Sequence, residues 1–425
     1  MFRLKYNKTI KDIQWSFISL ATASLSHLLL RIVLGRELGP NGLGLYTLVF
    51  TIYMFGMQFA AFGIGAALTK YVAQYSNNQE KIKEYVSSGI IGSLVSGSLM
   101  GLLLYLLASM ISIQFFHSPE MRSLLKLTAF CFPFIAMQRS VIGTLNGLRK
   151  MKLYAVVNIA QNISVMFVSL ILVTFLDMNV KGAVIGFVAP TILMGIISIY
   201  FTRCDIKPSL FLRKTIIKEI SWFGFYVVLA NSIGLINMQI DSLMVGYFMN
   251  EVDVGYYAVA IIFMQGVILF PQVIQRVTTP SIALYYGKND FESIEKLIKN
   301  TMIKTFIGIL CISIITAIFG NYLIIILFTE EFLPAYVPML ILLIGYTICA
   351  PIGSVGSTLS CIGKANIVFK MTAICALMNI LLNLILIPAF GLIGAASATS
   401  ISQIITLTIH LSLIKKYAFD YNLRI

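Results

Sequence analysis

Charge is the first thing this chain lacks. Asp, Glu, Lys and Arg make up only 11% of its 425 residues, less than half the roughly 25% of an ordinary soluble domain. Hydrophobic residues reach 58% and mean hydropathy +0.90, more apolar surface than a soluble core can absorb, so a soluble globular fold is excluded. Histidines number three, His27, His117 and His410, and no His-Glu-x-x-His occurs, which removes a zincin-type hydrolase. The six cysteines, Cys131, Cys204, Cys311, Cys349, Cys361 and Cys375, show no paired metal spacing and read as small apolar residues within helices. Neither a metal nor a cofactor is expected. No loop of glycines ending in lysine cradles a nucleotide, so no ATPase engine is encoded. Outer connections are short, which leaves little room for an extracellular domain or for the catalytic loop of a membrane glycosyltransferase, glycan polymerase or acyltransferase.

What is present in quantity is long apolar runs. They recur near 12–33, 43–67, 86–113, 122–145, 153–176, 181–202, 219–248, 254–279, 304–328, 335–359, 368–389 and 391–414. At about 1.5 Å per residue, about 20 residues of helix cross the roughly 30 Å of bilayer hydrocarbon. The expectation is an all-α membrane protein of about twelve transmembrane helices. The first run carries His27 and Arg31 and lacks a small-residue cleavage pattern, so it is expected to stay as a helix. A formal charge of +14 is also what a nucleic-acid-binding protein carries, but its distribution points to membrane orientation. With the N-terminus inside, inner segments hold most basic residues: Arg3, Lys5, Lys8 and Lys11, then Arg149, Lys150 and Lys152, then Arg203, Lys207, Arg213, Lys214 and Lys218, and later Lys364, Lys415, Lys416 and Arg424. Glu251, Asp253, Glu330 and Glu331 fall outside. This positive-inside pattern places both termini in the cytoplasm and the chain in the cell membrane. The inner segment 280–303 reads as a short amphipathic helix with charge pairs at helical spacing.

An internal repeat organises the chain. Leu34-Gly35 and Gly44-Leu45-Tyr46 recur as Val245-Gly246 and Gly255-Tyr256-Tyr257, 211 residues on; Leu145 to Lys150 recurs as Leu359 to Lys364, and Gly182-Ala183 as Gly394-Ala395. A nearly constant offset means duplication, dividing the chain into a six-helix half over 1–210 and another over 211–425. Six spans per repeat give both halves one orientation, hence two parallel repeats expected to surround a central cavity that opens alternately to each side.

Ionisable residues inside spans cost roughly 2.5–3.5 kcal/mol each on insertion scales, so they face a cavity or a partner. These are Arg31, Arg139, Arg276 and Asp241. Ser24, His27 and Arg31 form a polar stripe on the first helix, and Asn231, Gly234, Asn237 and Asp241 form another on the seventh. The repeat maps Arg31 onto Ser242, next to Asp241, and the expectation is a gate in which these two approach and separate as Asp241 binds a proton or cation. A static ion pair is the plainer alternative, although a permanent buried pair gains little over apolar packing. Gln265, Gln272 and Arg276 share a face of the eighth helix, which Pro271 and Pro280 would bend. Arg139 either faces the cavity or snorkels to lipid phosphates. Asn158, Gln161, Asn162, Asn379, Asn383, Thr399, Gln403, Thr406 and His410 are candidates for the lumen wall or for interhelical hydrogen bonds.

The segment from Arg31 to Leu48 (RIVLGRELGPNGLGLYTL) and that from Ile240 to Ala260 (IDSLMVGYFMNEVDVGYYAVA) resemble the polysaccharide-biosynthesis flippases, the O-antigen and repeat-unit exporters of the multidrug/oligosaccharidyl-lipid/polysaccharide exporter superfamily. Span count, repeat and length extend the likeness over nearly the whole chain. It implies a transporter, not an enzyme, moving a polyprenyl-diphosphate-linked oligosaccharide to the outer leaflet. It further implies Na+ or H+ coupling and membrane lipids and other polysaccharide-assembly proteins as partners, with no nucleic acid. Arg31, Arg139 and Arg276 would meet the diphosphate, with His27, Asn237 and Gln272 beside them. The alternative within the superfamily is a multidrug or toxic-cation extruder, which would favour cavity acids over three arginines.

Overall fold

The computed structural model describes residues 2–202 and 213–419. Arg203, Cys204, Lys207 and Arg424 lie outside the described residues, as do the side chains of Arg3, Lys5 and Lys8. The described residues are helical nearly throughout. In chain order they form α1 (Phe2–Ala61), α2 (Ile64–Gln74), α3 (Gln79–Ser109), α4 (Pro119–Ala129), α5 (Phe132–Gly147), α6 (Met151–Leu170) and α7 (Asn179–Tyr200). After the connection come α8 (Lys214–Phe248), α9 (Glu251–Gly287), α10 (Phe291–Leu327), α11 (Tyr336–Gly353), α12 (Thr358–Cys361) and α13 (Ala365–Ile414). Local chemistry fixes several starts. Asn78 caps α3 by accepting from Lys81 N, Asn250 caps α9 from Asp253 N, and Asp290 caps α10 from Ser293 N, at 3.0 to 3.1 Å. Donation from Ser293 also holds the Asp290 carboxyl below the usual carboxylate range.

Two helices are too long for one crossing. A straight α1 of 60 residues would run about 90 Å, three bilayer cores. Gly39 interrupts it at φ 65°, ψ −173°, a backbone state open to glycine and closed to most residues. The chain reverses there: the His27 and Phe50 rings lie 6.0 Å apart, although a straight helix would separate them by about 35 Å. Gly391 does the same to α13 at φ 58°, ψ −134°. Among the described residues nine helical stretches are long and apolar enough to cross a membrane, α4 and α5 make a tenth bent by 46°, and the two reversals each add one. The protein is thus an all-α, multi-pass membrane protein of twelve crossings, six before residue 203 and six after 212.

Several expectations change in detail. The span expected at 122–145 is broken between α4 and α5. The stretch 280–303 is not a separate amphipathic helix: it consists of the end of α9 and the start of α10, both continuous with apolar crossings. Helix α9 also continues through Pro271 and Pro280.

Two compact units are present. The first comprises Met1–Leu38 and Leu45–Ser232, the second Gly39–Gly44 and Ile233–Ile425. In the first, the start of α8 is held on α2 and α3 by a core of Ile64, Leu68, Tyr85, Ile216 and Ile220. Tyr85 OH donates to Glu219, and Arg213 pairs with Glu84 at 3.1 Å. In the second, Ile282, Ile294, Ile298, Val355, Leu359 and Ile414 form a buried core. Its tightest contact is a crossing of the segment around Gly44 with the start of α9: a Cβ on Gly44 would stand 1.7 Å from the Glu251 carbonyl oxygen, and one on Gly255 would stand 2.1 Å from that of Pro40. Only glycine lets these backbones meet.

Candidate functional site

In the second unit, Asp241 is buried on α8, two turns before the helix ends. Its carboxylate accepts from Asn383 Nδ2 at 2.6 Å, Thr399 Oγ1 at 2.7 Å and Tyr257 OH at 3.2 Å. Asn383 and Thr399 both belong to α13, on opposite sides of Gly391, so the reversal is what brings them to one carboxylate. Burying a lone carboxylate costs several kcal/mol, and three charge-assisted hydrogen bonds of about 1.5–3 kcal/mol each are of the size needed to offset it. Asn383 Nδ2 also reaches Asn379 Oδ1 at 3.1 Å, while Asn383 Oδ1 is buried with no hydrogen-bond partner among the described residues. Asp241, Asn379, Asn383, Thr399 and Tyr257 thus form one buried hydrogen-bonded cluster centred on the carboxylate.

In the first unit, His27 and Arg31 sit one turn apart on α1 and are half-buried. Tyr46, past the Gly39 reversal, lies close enough to Arg31 to interact with its charge. Tyr46 stacks on Phe50 at 5.7 Å, and both rings lean on Phe187 of α7, at 6.2 and 5.7 Å. His27 faces Asn162 of α6, whose Nδ2 donates to the Asn158 carbonyl at 2.7 Å. Within this unit no described carboxylate pairs with Arg31. Arg31 therefore keeps a partly desolvated positive charge with no described carboxylate of its unit against it, an arrangement chemically suited to accepting an anion.

Not every expected residue joins these pockets. Asn237 gives its Nδ2 to the Thr372 carbonyl at 3.4 Å, and Gly234 beside it faces open space. Arg139 is exposed, with Nη2 3.4 Å from Met57 Sδ. Gln272 and Arg276 are exposed, and among the described residues no hydrogen bond ties either to Asp241. Of the suggested lumen residues, Asn379, Asn383 and Thr399 surround Asp241 and Asn162 faces His27. Gln161 instead bridges Gln138 and Thr191, at 3.4 and 2.9 Å. His410 is buried, with Nε2 unpartnered among the described residues. Tyr46 and Tyr257 were missed as site residues, although the repeat places both two residues after its matched glycine.

This all-helical fold, with a polar cluster in each unit, has counterparts among solved structures. It superposes on the lipid II flippase MurJ in an inward closed conformation with a TM-score of 0.79 and 21% identity, covering 95% of this chain and 87% of that one. An inward-facing multidrug resistance MATE family transporter of the MOP superfamily superposes with a TM-score of 0.72 and 15% identity, covering 95% and 99%. The chain belongs to the polysaccharide biosynthesis protein family, whose profile matches residues 10–285, and the MatE profile matches residues 227–385. Among its relatives are a Shigella flexneri protein named "Putative O-antigen transporter", 24% identical over 93% of this chain and 95% of its own length. Another is "Probable low-salt glycan biosynthesis flippase Agl15" of Haloferax volcanii, 28% identical over 44% of this chain and 40% of its own length.

Proposed function

We propose that this protein is a flippase that carries a polyprenyl-diphosphate-linked oligosaccharide from the cytoplasmic to the outer leaflet by alternating access, coupled to Na+ or H+. The observation that carries the reading is Arg31: a half-buried cation with no carboxylate partner among the described residues of its unit, which a diphosphate would satisfy by charge-assisted hydrogen bonds. The names of the Shigella and Haloferax relatives support it. His27 belongs to the same pocket. Arg139, Arg276, Asn237 and Gln272 are further contacts for the diphosphate and sugars as the cargo moves. Asp241, within its oxygen-lined pocket, is the ion-coupling residue, taking a proton or a cation in exchange for its hydrogen bonds. The covalent repeat, 1–210 and 211–425, supplies two parallel halves that rock about the cargo. The basic residues of the inner segments set the termini in the cytoplasm, and other polysaccharide-assembly proteins supply and consume the cargo.

The MatE profile match favours one second reading, an extruder of organic cations. Binding of a polyprenyl-diphosphate oligosaccharide and of an organic cation to the purified protein, in wild type and Arg31→Ala, separates the two. Saturable glycolipid binding that weakens in the variant is expected; cation binding with indifference to the glycolipid overturns the flippase reading.

A further inference from the structure

His27 stands one helical turn before Arg31, so two groups able to carry positive charge share one face of α1. The surroundings of the imidazole are specific. Asn162 commits its Nδ2 to the Asn158 carbonyl at 2.7 Å, which leaves its side-chain oxygen as the atom that can accept from a ring N–H of His27, the residue it faces. A ring nitrogen that donates to this oxygen leaves the other to hold or release a second proton. The titratable and charged groups around His27 are Arg31 on the same helix and, beside Arg31, Tyr46. Helix α6 contributes the neutral Asn162, the second limb of α1 the ring of Phe50 at 6.0 Å, and α7 the ring of Phe187 behind Phe50. A protonated His27 would therefore meet a like charge and no anion among the described residues of its unit.

A diphosphate esterified at both ends carries two negative charges, and Arg31 neutralises one of them. We infer that His27 takes up a proton from the aqueous phase as the diphosphate of the lipid-linked cargo binds beside Arg31, so that loading is proton-linked at this pocket, independently of the ion site at Asp241. The inference rests on the reading of Arg31 as the diphosphate partner. The proton goes to the free ring nitrogen, which then donates to a phosphate oxygen; no covalent bond forms or breaks. Ligand and proton each favour the other's binding, so affinity is full where His27 is already protonated in the empty protein. It falls as pH rises above that point, by up to about tenfold per pH unit for one proton.

The test uses undecaprenyl-diphosphate-N-acetylglucosamine, a diester whose own charge stays constant, and the full-length protein in lipid nanodiscs, titrated between about pH 5.5 and about pH 8.5. In wild type the dissociation constant is expected to rise by about tenfold or more across this range. In His27→Gln it is expected to be flat and near the high-pH wild-type value, whereas Asp241→Asn retains the slope. A flat wild-type profile, or a slope that survives in His27→Gln, overturns the proton linkage while leaving the diphosphate reading intact if Arg31→Ala still weakens binding. If Arg31→Ala binds as wild type does, the diphosphate reading itself falls. Calorimetry of wild type in buffers of different ionisation enthalpy gives a measure that no variant's misfolding can spoil: about one proton taken up per ligand near pH 7.5 is expected, and none overturns the inference.

Discussion

The two units carry the same tyrosine in the same place and use it for opposite charges. Tyr46 and Tyr257 are related by the repeat, each lying beside an ionisable residue on the preceding crossing: Arg31 in the first unit, Asp241 in the second. The position that is Phe187 in the first repeat is Thr399 in the second. In the first unit that side chain is an apolar wall against Tyr46, at 6.2 Å between rings. In the second it is a hydroxyl that donates to Asp241 at 2.7 Å and meets Tyr257 OH at 3.3 Å. Matched regions of the repeat thus carry a cation beside aromatic rings in the first unit and a carboxylate held by an amide and hydroxyls in the second. The lesson is that duplication conserves the scaffold that presents a charge, while single side-chain choices decide its sign and whether its partners are built in or must be brought by a ligand.

The comparison breaks most completely at Asp241. Asp241→Ala leaves the donors of Asn383, Thr399 and Tyr257 without their acceptor and is expected to abolish glycolipid flipping in proteoliposomes. Asp241→Asn keeps the shape, and its effect should be confined to ion dependence. If a coupling cation binds here, added Na+ raises the thermal midpoint of wild type but not of this variant; equal shifts in both would remove the cation from this pocket.

Next in size is Arg31. Replacing it by Ala should weaken binding of a polyprenyl-diphosphate glycolipid by about 10- to 150-fold, the equivalent of about 1.5–3 kcal/mol for a charge-assisted contact. Arg31→Lys should recover part of this, because it keeps the charge and loses the planar fork. Thr399→Val sharpens the contrast with Phe187. Loss of one donor to the carboxylate should cost about 1–3 kcal/mol in unfolding free energy, whereas Phe187→Leu in the first unit should act only through packing, by about 1–2 kcal/mol. The smallest effect is expected from the tyrosine hydroxyls. Tyr257→Phe removes a hydrogen bond to Asp241 and should cost about 1 kcal/mol in stability. Tyr46→Phe, whose ring keeps its stack on Phe50, should cost less. Equal costs would mean that the two tyrosines do the same job after all.

Much of the fold was legible because its signal is local. An apolar run near 20 residues can be read without knowing its neighbours, and twelve such runs match twelve crossings among the described residues once α1 and α13 are divided at Gly39 and Gly391. The capping at Asn250 and Asp290 and the extensions of α9 and α10 beyond the apolar runs were harder to read, since polar ends of long helices carry no hydrophobic period. Of the site, Arg31, His27 and Asp241 stood out because a charge in an apolar run is conspicuous. Tyr46, Tyr257 and the pairing of Asn383 with Asp241 did not: tyrosine and asparagine are unexceptional in such helices, and residues 142 positions apart in the chain leave no local trace of their contact. Arg276 and Gln272 are as conspicuous in the sequence, yet both are exposed, and among the described residues neither has a hydrogen bond to Asp241.

The sequence by itself determined that this protein crosses the membrane as helices and about how many times, since hydrocarbon thickness needs no third dimension, and it carries a repeat at a nearly constant offset. Only the tertiary structure decided which polar groups meet. The reversal at Gly391 folds α13 on itself so that Asn383 and Thr399 reach one carboxylate, and the reversal at Gly39 sets Tyr46 beside Arg31. Inside a bilayer a polar group must find its partner within the protein, and which partner it finds is set by how the helices pack.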